Sequence, residues 1–171
     1  WQQGESEKVD AIWKANLADA EIICRIDPAI FGDPVAFNNL GYCRRREGDL
    51  KGAIDAYTDS LEIDPNRKGT RRDRGNVYFM LGEWDEAIRD YSEEIFNSPD
   101  DGGTYFNRAL VWREKRELES MRKDLDQAVK LSPGLAPAWQ LRGNIRELFQ
   151  NDPAGALEDY RQALKAGGEN W

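Results

Sequence analysis

A spacing of 34 residues recurs along this 171-residue chain, and no other feature limits its possible folds as much. One series at this spacing consists of prolines, at Pro65, Pro99 and Pro133. A second series consists of small residues, at Gly41, Gly75, Ala109 and Gly143. Sequence periods of about 20–50 residues indicate arrays of short structural units that bury their apolar faces against one another. The spacing therefore predicts four repeats, over residues 34–67, 68–101, 102–135 and 136–168.

Each repeat is predicted to form two helices. Apolar residues follow helical spacing on both sides of a Gly-Asp dipeptide, which in the first repeat begins at Gly48. Asp33 and Pro34 have the order of a helix N-cap followed by a proline at the first helical position. The periodic prolines cannot continue a helix, so they should close the second helix of a repeat. The chain is therefore predicted to be all-α, with the small residue of each first helix allowing the two helices to approach closely.

The composition limits the possible functions. The formal net charge of −8 argues against general binding to nucleic acid or anionic membranes, and no apolar run approaches the roughly 20 residues that cross a bilayer. The chain has no histidine and its two cysteines have no paired spacing, so neither a metal site nor a disulfide framework is indicated. We find no activated nucleophile, phosphate-binding loop or cofactor motif, so no catalytic residue is expected. A soluble protein is expected, with the cytoplasm as the favoured compartment.

Two stretches carry small, aromatic and proline residues in the pattern of tetratricopeptide repeats: LGYCRRREGDLKGAIDAYTDSLEIDP (40–65) and RGNVYFMLGEWDEAIRDYSEEIFNSP (74–99). The resemblance to this family covers about residues 34–167. It implies an α-solenoid of stacked antiparallel helix pairs, wound into a right-handed superhelix. The third repeat departs from the family pattern at Arg116, which replaces the turn glycine, and at Met121, which replaces the usual alanine.

The ends of the chain are predicted to differ from the full repeats. Counting back from Pro28 aligns residues 1–33 with a half-repeat, whose N-terminal helix would pack on the first full repeat. Residues 169–171 are predicted to form a tail. No solvating helix follows the fourth repeat, which predicts either a fragment or an end that is covered.

Arginine and aspartate also follow the repeat. Arginines precede the small residue in repeats two to four, and aspartates follow 16 or 17 positions later; the pairs are Arg74 with Asp90, Arg108 with Asp124, and Arg142 with Asp159. In the first repeat the two positions hold Leu40 and Ala56. Because arginine occurs with aspartate and leucine with alanine, we expect an ion pair between the two helices of each later repeat.

The family resemblance also implies where a partner would bind. Such proteins usually bind partners on a concave surface lined by the first helix of each repeat. The positions carried over mix amides, apolar side chains and arginines, which suit an extended peptide. They are Asn38, Tyr42, Arg45, Arg72, Asn76, Phe79, Phe106, Asn107, Leu110, Arg113, Gln140, Leu141 and Asn144. The expected partner is a protein or peptide, and the mildly basic lining is compatible with acidic character.

Two functions stay open, and an enzyme is disfavoured against both. The leading one is a non-catalytic adaptor that is co-chaperone-like. Some family members hold the C-terminal carboxylates of heat-shock chaperones with a Lys, Asn, Asn, Lys, Arg set; Arg72, Asn76 and Asn107 match the first three places. Pro137 and Leu141 occupy the last two, so a complete clamp is not expected. The alternative is a homo-oligomeric scaffold that assembles through the ends of the solenoid.

Overall fold

The structure of the protein, a computed structural model, describes residues 32–167. Over this range it contains eight α-helices and no strand, which confirms the all-α prediction. The helices are α1 (Pro34–Glu47), α2 (Leu50–Ile63), α3 (Thr70–Leu81), α4 (Trp84–Asn97), α5 (Gly102–Glu114), α6 (Leu118–Leu131), α7 (Ala136–Phe149) and α8 (Pro153–Gly167). The predicted half-repeat in residues 1–33 and the tail at 169–171 fall almost entirely outside the described residues.

The chain divides into two compact units, with the boundary inside α4 after Asp90. The described part of unit 1 comprises residues 32–90, in which α1 packs against α2 and α2 against α3. The described part of unit 2 comprises residues 91–167, in which α5 packs against α6, α6 against α7, and α7 against α8. The second helices α2 and α6 therefore each contact both the helix before and the helix after them.

Helix boundaries follow the signals predicted from the sequence. The Asp33 carboxylate accepts a hydrogen bond from the Val35 amide at 2.9 Å, with Pro34 as the first helical residue of α1. Gly48 ends α1 with φ +86°, a left-handed conformation that glycine adopts without steric cost. The second helices α2, α4 and α6 each end two residues before a periodic proline. These caps and stops confirm the predicted helix pairs.

Close approach within a pair depends on the small residue of the first helix. A Cβ atom added to Gly41 would lie 2.7 Å from the ring of Tyr57, and one added to Gly143 would lie 2.6 Å from the ring of Tyr160. In the third repeat Ala109 packs in one core cluster with Leu125 instead. The small residue and its partner on the second helix therefore change together: glycine faces tyrosine, and alanine occurs with leucine.

Cys43 corrects one expectation. Its side chain on α1 is buried and disulfide-bonded, although the spacing of the two cysteines indicated no disulfide framework. The other cysteine of the chain, Cys24, lies outside the described residues.

Candidate functional site

In unit 1 an arginine–aspartate pair joins the two helices of the second repeat. Arg74 on α3 donates to both carboxylate oxygens of Asp90 on α4, at 2.8 and 2.7 Å. The Asp90 side chain is only 4% exposed. This two-bond geometry is the strong form of an arginine–carboxylate interaction. The predicted ion pair is therefore present, and it crosses between the helices as expected.

Unit 2 contains the same pair twice. Arg108 donates to both oxygens of Asp124 at 2.8 and 2.7 Å, and Arg142 to both oxygens of Asp159 at 3.0 and 2.6 Å. Asp159 is fully buried at 1% side-chain exposure and also faces Arg146 at 3.1 Å. Asp124 accepts a further hydrogen bond, at 3.0 Å, from the indole of Trp112. Both pairs confirm the sequence prediction.

Each of these arginines makes a third contact that the sequence analysis missed. The remaining Nη1 group reaches back to the second helix of the preceding repeat, at Thr58 (3.0 Å), Ser92 (2.9 Å) and Asp126 (3.1 Å). These three acceptors are themselves 34 residues apart, so their spacing was a signal that could have revealed them. Each arginine consequently ties together three helices rather than two.

The most heavily charged of these clusters is in the fourth repeat. Burial alone would lower the pKa of Arg142, but hydrogen bonds and charge from Asp159, and then from Asp126, outweigh burial and raise it. Its guanidinium also lies 4.8 Å from the centre of the Trp139 ring, in a cation–π contact. Arg142 therefore remains charged, and its role is to hold helices together.

In unit 1 the predicted partner-binding residues lie on α1 and α3. Asn38 donates from its amide to the Thr70 hydroxyl at 3.1 Å, which links α1 directly to α3. The guanidinium of Arg45 lies 5.4 Å from the centre of the Tyr42 ring. Phe79 packs against Trp84 with ring centres 5.4 Å apart. Arg72 and Asn76 are half-buried on α3, and Arg72 is 3.9 Å from Asp73.

In unit 2 the predicted residues divide into two groups. Phe106 and Leu141 pack against the apolar core cluster, and Asn107 and Leu110 are half-buried on α5. Arg113, Gln140 and Asn144 are exposed; Arg113 pairs with Glu114 at 3.0 Å, and Asn144 accepts a hydrogen bond from the Tyr160 hydroxyl at 2.9 Å.

Three predicted residues, Arg113, Leu141 and Asn144, meet at an apolar cleft of unit 2 with a volume of about 460 Å³. The cleft lies between the end of α5, the turn at Arg116, the start of α6 and the second half of α7. Its walls include Trp112, Leu118, Met121, Ile145, Leu148 and Phe149. No pattern in the sequence had indicated this cleft.

Charge differs between first and second helices. Each first helix is net positive, with +2 for α1 and α3 and +1 for α5 and α7. The second helices α2 and α4 carry −2 and −4, and α6 and α8 are neutral. The single arginine of each interhelical pair accounts for the whole net positive charge of α5 and α7. In α1 and α3, net positive charge remains when such an arginine is left out. The positive surface is therefore concentrated in unit 1.

Neither a metal nor a membrane is indicated by the part of the chain that the structure describes. Residues 32–167 contain no group of three or more metal-binding side chains. None of the helices in this range is both long and apolar enough to traverse a bilayer.

Comparison with known proteins agrees with the geometry. Family models described as "Tetratricopeptide repeat" match residues 34–67 and 72–136. Among curated relatives, Hsp70-Hsp90 organizing protein 3 of Arabidopsis thaliana is 30% identical over 132 residues, covering 74% of this chain and 24% of that protein. The chain spans a quarter or less of the length of the first curated relatives that it matches.

Solved structures share the fold. MamA from Desulfovibrio magneticus RS-1 aligns with a TM-score of 0.75 at 16% identity, covering 97% of this chain and 94% of that one. The first TPR of Spaghetti (RPAP3), solved with the HSP90 peptide SRMEEVD, aligns with a TM-score of 0.66 at 21% identity, covering 69% and 94%. These likenesses confirm the α-solenoid fold class. Together with the matched family models and the repeated helix pairs, they establish that this chain belongs to the tetratricopeptide repeat family.

Proposed function

We propose that this chain is a non-catalytic protein-interaction module, adaptor-like or co-chaperone-like, that binds an acidic segment of a partner protein on α1 and α3 of unit 1. The observation that carries the proposal is the excess positive charge of these two helices beside the negative α2 and α4. Relatives with the same repeats include Hsp70-Hsp90 organizing proteins. A charged surface of this kind steers an oppositely charged partner and determines which partners are accepted.

The side chains of this surface suit an extended acidic segment. The Arg72 guanidinium can receive a carboxylate through two parallel hydrogen bonds, and the Asn76 amide can both donate to and accept from a peptide backbone. Arg45, stacked on Tyr42, offers a second cation that its aromatic neighbour holds in place. Charge and hydrogen bonding thus favour the same type of ligand.

The chaperone peptide SRMEEVD is the most informative probe of this surface, because it is bound in the structure of the Spaghetti (RPAP3) TPR. This chain has Arg72, Asn76 and Asn107 at three places of the family's carboxylate-binding set, but Pro137 and Leu141 at the other two. We therefore expect SRMEEVD to bind weakly and mainly through its acidic side chains, rather than through a complete clamp around its terminal carboxylate.

Calorimetric titration with SRMEEVD tests the proposal. We expect binding that weakens as salt rises, because exposed charges are screened over about 8–10 Å at physiological ionic strength. Arg72→Glu should weaken binding about tenfold, since it replaces an attraction with a repulsion at the contact.

The matched control for this titration is Arg89→Glu, which makes the same charge change at an exposed position on α4 of the same unit. It should change the affinity less than about twofold, because Arg89 lies on a second helix. The peptide SRMQQVN, amidated at its C-terminus, has no carboxylate and should not bind. Equal affinities of Arg72→Glu and Arg89→Glu for SRMEEVD would contradict the proposed surface.

A second candidate function, self-assembly, is supported by the exposed apolar side chains of α8. Leu157 and Leu164 are 50% and 55% exposed and stand seven residues apart, on one face of the helix. An exposed apolar helix face is a typical site of pairing between copies. Light scattering tests this candidate. The measured mass should rise above 19.6 kDa as the concentration rises, and the double variant Leu157→Glu with Leu164→Glu should return it to 19.6 kDa. A mass of 19.6 kDa at every concentration would contradict self-assembly.

A further inference from the structure

We propose that the apolar cleft of unit 2 is a second docking site, which receives a leucine-type side chain of a partner segment whose flanking residues are acidic. The site shares no residue with the basic surface of unit 1, since its lining residues all lie between Trp112 and Phe149. Its volume of about 460 Å³ falls within the range of about 300–1,000 Å³ that is usual for ligand pockets. It can therefore hold one or two large aliphatic side chains.

The apolar walls of the cleft are unusually open to solvent. Leu148 is 70% exposed and Phe149 is 65% exposed, and Leu118 in the same lining is 38% exposed. Single exposed apolar residues are normal on protein surfaces, but several lining one concave site indicate an interaction surface. Covering them with an aliphatic side chain would remove this area from water, which is the main source of favourable free energy in such contacts.

Arg116 at the edge of the cleft determines the charge of the expected segment. The corresponding turn positions of the first two repeats are Gly48 and Gly82, which have φ +86° and +77°. Arg116 adopts the same left-handed region with φ +60°, where a side chain is sterically disfavoured. A residue held in a disfavoured backbone conformation is a reason to look for a functional role of its side chain.

The charge beside the cleft is available to a ligand. Arg113 is paired with Glu114, whereas Arg116 forms no ion pair within residues 32–167. The charged residues of the lining are two arginines, Arg113 and Arg116, and one carboxylate, Glu117. Because the cations are in excess, charge complementarity favours a segment whose carboxylate reaches Arg116 while its aliphatic side chain enters between Leu148 and Phe149. A mainly basic segment would leave Arg116 facing a like charge.

Four hexapeptide probes distinguish the contribution of the aliphatic side chains from that of the flanking charges: EELLEE, EESSEE, QQLLQQ and KKLLKK. The readout is the NMR signal of the Trp112 indole N–H, since Trp112 lines the cleft and donates to Asp124. We expect EELLEE to shift this signal in a saturable way. EESSEE should bind at least about tenfold more weakly at this site, because it lacks the apolar side chains, and KKLLKK should also be weaker.

Two substitutions of Arg116 distinguish the effect of its charge on binding from the effect of its backbone conformation on stability. Arg116→Asn removes the charge and should weaken EELLEE about three- to fivefold while leaving QQLLQQ unchanged. The same variant should raise the melting temperature by about 2 °C, because asparagine tolerates the left-handed conformation better. Arg116→Lys should retain the affinity for EELLEE. A gain in stability combined with a loss of binding is not expected of a residue with a purely structural role.

Two further variants distinguish this site from the basic surface and from self-assembly. Leu148→Glu changes an exposed side chain, so it should preserve folding and abolish the Trp112 response. Arg72→Glu, in unit 1, should leave that response unchanged even if the proposed function of unit 1 fails. The proposal is overturned if 1 mM EELLEE leaves the Trp112 signal unmoved or if Arg116→Asn binds EELLEE as well as the wild type. A drop in molecular mass on Leu148→Glu would also overturn it, because a second copy would then be the occupant.

Discussion

Arg74→Leu is expected to lower the free energy of unfolding by about 3–5 kcal/mol, whereas the same change combined with Asp90→Ala should stay within about 1 kcal/mol of the wild type. The single change leaves the Asp90 carboxylate, 4% exposed, without its guanidinium. The cost of an uncompensated buried charge greatly exceeds the net value of the pair. Removing both partners leaves two apolar side chains and no such charge.

The chain itself supplies the precedent for the double variant. Its first repeat has Leu40 and Ala56 where the second has Arg74 and Asp90. Ala56 is buried at 1% exposure, so this position accepts an apolar residue in a packed setting. Thermal unfolding should therefore show the single variant lower by roughly 6–20 °C and the double variant close to the wild type.

The controls for this cycle use other arginines. Arg89→Leu, at an exposed position of the same unit, should change the melting temperature little. The corresponding cycle at Arg108 and Asp124 should show the same sign but a smaller recovery, because Asp124 also accepts from Trp112 and its removal leaves the indole N–H without that partner. Equal melting temperatures of Arg74→Leu and the double variant would contradict an energetically coupled pair.

Gly41→Ala is expected to destabilise the protein by about 1–3 kcal/mol, although alanine is the better helix former. The added Cβ atom would lie 2.7 Å from the rigid ring of Tyr57, which is fully buried. Tyr57→Leu in the Gly41→Ala background should recover stability, because Ala109 and Leu125 form this combination in the third repeat. The smaller side chain also removes the Tyr57 hydroxyl, which is buried without a hydrogen-bond partner within the described part of the chain.

Chemical denaturation measures the free energy of unfolding of Gly41→Ala and of Gly41→Ala with Tyr57→Leu, with Gly134→Ala as the control. An added Cβ atom at Gly134 meets nothing within 4 Å, so that change should be close to neutral. If Gly41→Ala with Tyr57→Leu is no more stable than Gly41→Ala alone, the covariation between repeats has another cause than helix spacing.

The period of 34 residues made most of the fold predictable. A contact that recurs in every repeat leaves a series in the sequence, as the pairs of Arg74, Arg108 and Arg142 show. Comparison of the repeats also shows which residues can replace the ion pair, since the first repeat has Leu40 and Ala56 at these two positions. The third hydrogen bond of each arginine followed the same spacing and was missed only because two of its acceptors, Thr58 and Ser92, are uncharged.

Features that occur once could not be predicted in this way. The cleft of unit 2 combines the end of one helix, a turn and two further helices, and no shared spacing connects Trp112, Leu118 and Leu148. The left-handed turn itself recurs at Gly48, Gly82 and Arg116, but the loss of the glycine gave no indication that Arg116 keeps this conformation. The partner-binding residues of the first helices stay a prediction, since family resemblance identifies the surface but not its ligand.

Mapping of backbone amide shifts during titration with SRMEEVD is the decisive experiment for the proposed surface, because it locates the bound peptide without any substitution. We expect the largest shifts in α1 and α3, around Tyr42, Arg45 and Arg72, and we expect them to diminish as salt rises. Shifts confined to the second helices α2 and α4, or no shift at millimolar peptide, would contradict binding of an acidic segment to the first helices of unit 1.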